Sequence, residues 1–329
     1  MNAPDLDSLL PRLGELRGAL AQAVVGQQEV VEQLLIGLLA GGHCLLEGAP
    51  GLGKTLLVRS LGQALHLQFR RVQFTPDLMP SDILGTELLE EDHGTGKRAF
   101  RFQQGPVFTN LLLADELNRT PPKTQAALLE AMQEHTVSYA GTTHALPEPF
   151  FVLATQNPIE QAGTYPLPEA QLDRFLLHVR VDYPSETEER DILLQTTGRP
   201  AGAVPRVMDG DDILAAQARV REVHVGADLL DWINRLVRAS RPRDAAASDE
   251  VRKYVRWGAG PRAGQSLVLA AKARALLHGR FAATREDVRA LAAPVMRHRL
   301  LLSFAAEAEQ VSADDVVAAL LRAVPWPGD

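Results

Sequence analysis

The sequence predicts an α/β fold: a parallel sheet between helices with added β-hairpins, followed by a smaller all-helical unit. Three observations carry this. Short apolar runs of strand length alternate with helical periodicity up to about residue 184. One of those runs opens into a glycine-rich loop that leads straight into a helix. Beyond Pro184 the helical patterns continue and no convincing strand pattern is evident. Strands alternating with helices imply parallel pairing with helices on both faces. A chain of 329 residues can bury two sizeable cores.

Taken in order, residues 6–40 carry apolar positions at helical spacing, interrupted by a short turn at Val24-Val25-Gly26-Gln27. His43-Cys44-Leu45-Leu46-Glu47 reads as a buried strand, and a helix follows over about 54–65. Residues 111–114 and 150–155 are two further apolar strands, and 175–181 is the last strand of this half. Two segments fit the hairpin signal. Residues 86–104 have a polar tip at Glu90-Glu91-Asp92-His93-Gly94-Thr95-Gly96, and 136–146 turn at Ala140-Gly141-Thr142. The second unit reads as helices over 186–194, 211–222, 227–239, 262–278 and 284–299. Thr284 followed three residues on by Asp287 resembles a capping box with Asp in place of Glu. Residues 198–205 and 241–250 read as loops. The boundary falls near Pro184, giving units of 1–184 and 185–329.

Hydrophobic residues make up 46% and charged residues 23%, an ordinary globular balance, and the net charge is -7. That acidic balance gives no support for a protein that grips nucleic acid by its phosphates, so nucleic acid is not an expected partner. Cys44 is the single cysteine, which rules out an intramolecular disulfide and argues against a cysteine-ligated zinc site. It lies in an apolar run and reads as a small buried hydrophobe. No apolar run reaches the roughly eighteen residues of a membrane span, and the N-terminal residues lack a signal-peptide pattern, so a cytoplasmic location is expected. His93, His135 and His144 have no metal-like spacing.

Gly48-Ala49-Pro50-Gly51-Leu52-Gly53-Lys54-Thr55 matches the phosphate-loop pattern G-x-x-x-x-G-K-[ST]. Glycines let backbone N–H groups curl around phosphates, and the helix starting near Lys54 points its positive dipole end at them. Lys54 is expected to reach the β- and γ-phosphates, and the Thr55 hydroxyl to ligate Mg²⁺; Leu56 adjoins them in the nucleotide-binding set. Average residue usage would produce such an octet by chance in on the order of 0.01 chains of this length. Leu111-Leu112-Leu113-Ala114-Asp115-Glu116 is an apolar strand ending in two carboxylates. Asp115 is expected to hold the magnesium shell, and Glu116 to act as general base on the attacking water. The strand that ends at Thr155-Gln156-Asn157 brings Asn157 beside the same phosphates, because ligands in parallel sheets sit outside the carboxyl ends of strands.

With these motifs placed, nearly the whole chain resembles the MoxR family of AAA+ ATPases. The resemblance is carried by Gly48 through Thr55, by Phe74-Thr75-Pro76-Asp77-Leu78-Met79-Pro80-Ser81-Asp82, and by Leu113-Ala114-Asp115-Glu116-Leu117-Asn118-Arg119-Thr120-Pro121-Pro122-Lys123-Thr124-Gln125. Ala154-Thr155-Gln156-Asn157-Pro158-Ile159-Glu160 and Gly163-Thr164-Tyr165-Pro166-Leu167-Pro168-Glu169-Ala170-Gln171-Leu172-Asp173-Arg174-Phe175 extend it. It implies that Asn157 is the sensor-one residue and that Val25, Gly26 and Gln27 lie against the adenine. It implies that Arg174 is an arginine finger reaching a neighbouring subunit's ATP. Arg262, in Gly260-Pro261-Arg262-Ala263, would be the sensor-two arginine; whether it serves its own or a neighbour's nucleotide stays open. Relatives commonly carry serine where Gly260 stands. The hairpins would face a ring pore or a substrate.

The expectation is therefore Mg²⁺-dependent ATP hydrolysis by a ring, with a hexamer as the assembly the resemblance implies. Glu116 and Asn157 would hold the water, while Lys54, Arg174 and Arg262 neutralise developing charge. The resemblance implies chaperone-like remodelling, maturation or metal-cofactor loading of a client, often one with a von Willebrand factor A domain. A nucleic-acid motor and a metal-chelatase motor subunit are the alternatives.

Overall fold

The structure, a computed structural model, describes residues 6–24, 26–49, 51–91, 98–157, 163–197 and 204–326. Helices α1 (Leu6–Ala23) and α2 (Gln28–Leu39) precede strand β1 (Cys44–Gly48), helix α3 (Lys54–Ala64) and strand β2 (Phe69–Gln73). Helix α4 (Pro80–Leu84) leads into the hairpin β3 (Gly85–Glu91) and β4 (Arg98–Gln104). Strand β5 (Leu111–Asp115), helix α5 (Pro122–Glu134) and the second hairpin, β6 (Thr136–Tyr139) and β7 (Thr142–Ala145), follow. Strand β8 (Phe151–Gln156), helix α6 (Glu169–Leu172) and strand β9 (Leu177–Val181) end the sheet-bearing half.

Five strands pair in the order β2-β5-β8-β1-β9, and each pairing is parallel. The central strands are apolar until their carboxyl ends, where Glu47, Asp115 and Gln156 stand, because both faces are covered. Their side chains alternate between two cores, as the period of two requires. Cys44, Leu46, Leu111, Leu113, Phe151 and Leu153 point into one cluster, which continues through α1, α2 and α3. Leu45, Leu112, Ala114, Val152 and Ala154 point into the other, closed by Leu128, Leu129 and Met132 of α5.

Strand β2 is an addition to the sequence reading. Phe69-Arg70-Arg71-Val72-Gln73 lacks an apolar run because it lies at the sheet edge with Arg70 and Arg71 exposed. The two hairpins form as expected, and they pack on each other: the Phe102 ring stacks on His144 at 4.4 Å and lies 5.5 Å from Tyr139. His144 is thus a packing residue. His93, with the hairpin tip over 92–97, lies outside the described residues. Ala140 and Gly141 both take positive φ, as a tight two-residue hairpin turn demands.

The second half is a helical lid. Its helices are α7 (Glu186–Thr197), α8 (Gly210–Glu222), α9 (Ala227–Ala239) and α10 (Asp249–Tyr254). Strand β10 (Val255–Trp257) precedes α11 (Pro261–Leu277) and α12 (Arg285–Met296), and β11 (Leu301–Leu302) precedes α13 (Phe304–Ala308) and α14 (Ala313–Ala323). The sequence reading found no strand here; the structure adds the short antiparallel β10–β11 pair. It also adds α10, α13 and α14. Of the loop expected over 198–205, residues 198–203 lie outside the described residues. The capping box at α12 is present, with the Thr284 N–H donating to Asp287 Oδ2 at 2.9 Å. Asp287 is fully buried. Burial alone would raise its pKa, but hydrogen bonds from Arg280, the Thr284 N–H and Arg274 overcome that and hold it at about 2. The core cluster on the α2 side of the sheet runs on into the lid, through Trp232, Leu267, Leu291 and Leu320. Among the described residues no helix is long and apolar enough to cross a membrane.

Candidate nucleotide site

The phosphate loop starts where β1 ends. Gly51 and Gly53 adopt φ of +83° and +74°, and a Cβ on either would meet nothing within 4 Å. Glycine is needed there for backbone conformation, since L side chains rarely occupy that region. Ala49 is buried, and Leu52 lies between the two glycines. Pro50 falls outside the described residues. Helix α3 begins at Lys54, so its free N–H groups face the loop. Lys54 Nζ donates to the Gly48 carbonyl at 2.5 Å. Burial lowers the Lys54 pKa, while the charges of Asp115, Glu116 and Glu47 work the other way. Thr55 follows on the first turn, and Leu56 is 49% exposed beside it.

Asp115 closes β5 and Asn157 follows β8, so both stand at the carboxyl end of the sheet with the loop. The register pairs Gln156 with Glu47, which brings the buried Asn157 beside Gly48. Thr155 joins the two strand ends. Its hydroxyl donates to Asp115 Oδ1 at 2.6 Å and accepts from the Glu116 N–H at 2.8 Å. Glu116 itself takes φ 58°, ψ 48°, a left-handed conformation that costs a non-glycine residue roughly 1–3 kcal/mol. Its carboxylate lies 3.0 Å from Arg119 Nε. The other Asp115 oxygen receives two bonds from Arg71 on β2, at 3.0 and 2.6 Å.

Gly26 and Gln27 also join the site. Gln27 Nε2 donates to the Leu52 carbonyl at 2.7 Å, while its Oε1 is buried with no partner among the described residues. A Cβ on Gly26, φ +76°, would meet Glu188 of α7 at 2.9 Å. The turn before α2 is therefore walled by both the loop and the lid. Val25 lies outside the described residues.

Arg174 and Arg262 are elsewhere. Leu177 pairs with Cys44 and Leu176 N–H donates to the His43 carbonyl at 2.8 Å, so Arg174 precedes the amino end of β9. At about 3.3 Å per residue, Gly48 is some 16 Å further along the neighbouring strand. Arg262 of α11 lies at that same end, its Nη1 3.6 Å from Asp173 Oδ2. Both arginines line one cavity of about 160 Å³ with Arg299. The arrangement thus forms two half-sites: a phosphate loop with its acidic strand ends, and an arginine cluster at the opposite end of the sheet.

Sequence reasoning missed Arg71, because it missed β2. It passed over Thr155, although a threonine two positions before Asn157 on a buried strand needs a hydrogen-bond partner. It also passed over Asp173 as a ligand for lid arginines.

The residues fit a nucleoside triphosphate. The glycine conformations, the α3 N-terminus and Lys54 would supply phosphate contacts, and Gln27 Oε1, unpartnered among the described residues, would supply a base contact. The oxygens of Thr55 and Asp115 suit a hard divalent cation delivered with its nucleotide. Among the described residues there is no cluster of three or more His, Cys, Asp or Glu that could hold a metal alone.

Comparisons with known proteins agree with this geometry. Residues 43–177 match the model of the ATPase family associated with various cellular activities (AAA), and 247–320 match the AAA lid domain. Chaperone MoxR1 of Mycobacterium tuberculosis is 43% identical over 304 residues, covering 92% of this chain and 79% of the relative. Protein MoxR of Paracoccus denitrificans is 35% identical, covering 90% of each chain. A crystal structure from Cytophaga hutchinsonii, assigned as an ATPase, superposes with a TM-score of 0.89 at 39% identity and covers 97% of both chains. The chain belongs to the MoxR family of AAA ATPases.

Proposed function

We propose that this chain hydrolyses ATP, with each active site completed by a neighbouring subunit. The observation that carries the hydrolytic reading is the Thr155 hydroxyl, which ties Asp115 and Glu116 together beside the phosphate loop. Glu116 is oriented as the general base for the attacking water, and Asn157 helps to hold that water. Lys54 neutralises charge on the β- and γ-phosphates. Thr55 and Asp115 would hold Mg²⁺, which supplies charge neutralisation at the phosphates when bound. Val25, Gly26 and Gln27 take the adenine side. The separation of Arg174 from its own phosphate loop supports action in trans, since a guanidinium some 16 Å away along the sheet cannot serve that loop. Arg262 shares the Asp173 contact, which favours trans action for it too.

Action in trans needs contact between subunits, and a hexameric ring, the assembly the family resemblance implies, is the one we infer. Residues 1–184 form the nucleotide-binding unit and 185–329 the lid that moves with nucleotide state. The work done is chaperone-like remodelling or maturation of a client protein, with a von Willebrand factor A domain as a candidate partner feature. Two observations support this: the name of the Mycobacterium tuberculosis relative, and the first hairpin, where Leu88, Leu89 and Phe100 are 43%, 54% and 70% exposed. Exposed apolar groups of that size suit protein contact.

The test is Glu116→Gln. The substituted protein is expected to bind ATP normally and release phosphate at least roughly 100-fold more slowly, since general-base catalysis contributes about 10²–10⁴-fold. Phosphate release at the unsubstituted rate would remove Glu116 from the mechanism. Client proteins retained by this ATP-bound form identify the substrate.

A further inference from the structure

We propose that Arg299 is a positioning residue for the arginine finger: it fastens the lid to residues 173–176 and thereby sets where Arg174 meets a neighbouring subunit's nucleotide. The proposal rests on the reading of Arg174 as a finger acting in trans.

Arg299 is 9% exposed, in the single helical turn that follows α12. A buried guanidinium is costly unless its N–H groups are paired. Here the pairing comes largely from residues flanking Arg174. Nε donates to Asp173 Oδ1 at 2.7 Å. One terminal nitrogen donates to the Phe175 carbonyl at 2.8 Å and to Ser266 Oγ at 3.2 Å. The other donates to the Leu176 carbonyl at 3.3 Å and to the Val295 carbonyl within the lid. The two preceding residues grip the same segment. His298 Nε2 bonds the Phe175 carbonyl at 3.1 Å, and Arg297 bonds the His178 carbonyl at 2.9 Å and Asp314 at 2.9 Å. Three consecutive lid residues therefore hold the chain on the C-terminal side of Arg174, and Arg299 also holds it on the other side through Asp173.

Asp173 is the carboxylate next to the finger in sequence. Its Oδ1 is taken by Arg299 and its Oδ2 faces Arg262 at 3.6 Å. Among the described residues the Arg174 guanidinium has no hydrogen bond or ion pair. Occupying Asp173 with two lid arginines leaves Arg174 available for an anion from outside the chain. It also makes the finger's position a function of lid position. A misplacement of about 1 Å at a catalytic group can cost about 100-fold in rate, so a clamp of this kind is enough to gate turnover. Lysine cannot replace it, because an ammonium lacks the planar fork that spans Asp173, Phe175 and Leu176.

The test uses mixtures of two full-length chains. A Lys54→Ala chain supplies Arg174 but cannot use its own nucleotide. An Arg174→Ala chain binds nucleotide but supplies no finger. Mixed, they are expected to regain ATP turnover at sites where the first faces the second. Arg299→Lys is then added to one chain at a time, and Asp173→Asn is tested in parallel as a variant that perturbs packing less. On the finger-supplying chain, either change is expected to lower regained turnover at least roughly tenfold, a small part of the 10³–10⁵ that an arginine finger contributes. On the finger-less chain it is expected to change turnover less than about twofold, because the clamp there holds no finger. Equal losses in both placements, or no loss on the finger-supplying chain, overturn the proposal. Failure of the parent mixture to regain any turnover removes the trans-finger reading, and the clamp with it.

Discussion

One hydroxyl at Thr155 serves both acidic residues of the site. It is buried, so each group it pairs would otherwise be left without a partner. Removing a partner from a buried polar group costs about 1–3 kcal/mol. Thr155→Val keeps the shape and deletes the hydroxyl, leaving Asp115 Oδ1 and the Glu116 N–H unpaired. The released N–H also loosens the left-handed conformation that aims Glu116. The expected outcome is a fall in kcat of roughly 10–100-fold with ATP binding little changed. Steady-state kinetics with a separate binding measurement checks it. Retained kcat with a raised KM would instead assign the hydroxyl to nucleotide binding. Arg71 holds the second Asp115 oxygen from a side chain that is 47% exposed, so its loss is expected to matter less than that of Thr155.

At the scale of elements, legibility followed burial. Strands β1, β5 and β8 are covered on both faces, and their apolar runs were readable within a residue or two at each end. Asp115 closes β5, and Lys54, Glu116 and Asn157 follow the carboxyl ends of these strands, so the grouping of these residues was readable as well. Strand β2 is an edge, and its Arg70 and Arg71 hid it. The arginine half-site was readable only as a resemblance, because Arg174 and Arg262 meet through the β1–β9 register and the Asp173 contact, which no local pattern encodes. Helix α13 is five residues long, too short for a helical period to show, while α14, with eleven residues, carries Val316, Val317 and Leu320 at helical spacing and was passed over. The strand expected from residue 175 begins at Leu177, because Phe175 and Leu176 give their carbonyls to Arg299. The start of β1 also carries a pH dependence. His43 accepts from the Val152 N–H of β8 at Nδ1 and donates to the Met132 carbonyl of α5 at Nε2. Burial lowers its pKa from 6.5 to about 4, and neighbouring His135 adds to this, while the Met132 bond opposes it. His298 is likewise lowered by burial and by the Arg299 charge. The unfolded chain therefore binds protons that the folded chain refuses between pH 6.5 and 4. Stability is full above 6.5 and is lost as pH falls through that window, by about 3 kcal/mol from His43 alone. Asp287 adds its own loss only at lower pH, between 3.8 and about 2. Urea midpoints measured from pH 7.5 to 5 are expected to decline; a flat profile would show that His43 titrates freely in the fold.

For the whole molecule, the decisive feature is that the two half-sites lie at opposite ends of one sheet. In the proposed reading a lone chain holds its nucleotide at the carboxyl ends of β1, β5 and β8, while Arg174 and Arg262 stand at the amino end of β9. Arg174 does not reach the phosphate loop of its own chain without breaking the register that places Leu177 beside Cys44, and Arg262 faces Asp173 at that same end. On the trans reading proposed above, turnover depends on contact between chains, whereas nucleotide binding need not. ATP turnover per chain, measured with Mg²⁺ as protein concentration is raised, is expected to climb and then saturate, with ATP affinity nearly constant across the same range. Arg174→Ala is expected to flatten the curve at the low value of the dilute protein, a loss of up to about 10³–10⁵-fold at saturation. The same variant should keep the unsubstituted melting temperature, because the Arg174 guanidinium pairs with no group of its own chain among the described residues. Turnover that stays constant down to concentrations where the chain is monomeric would mean that one chain completes its own site. The arginine cluster beside Asp173 would then serve the fold instead of the reaction, and the ring would lose its mechanistic necessity while the phosphate loop and its acidic strand ends kept theirs.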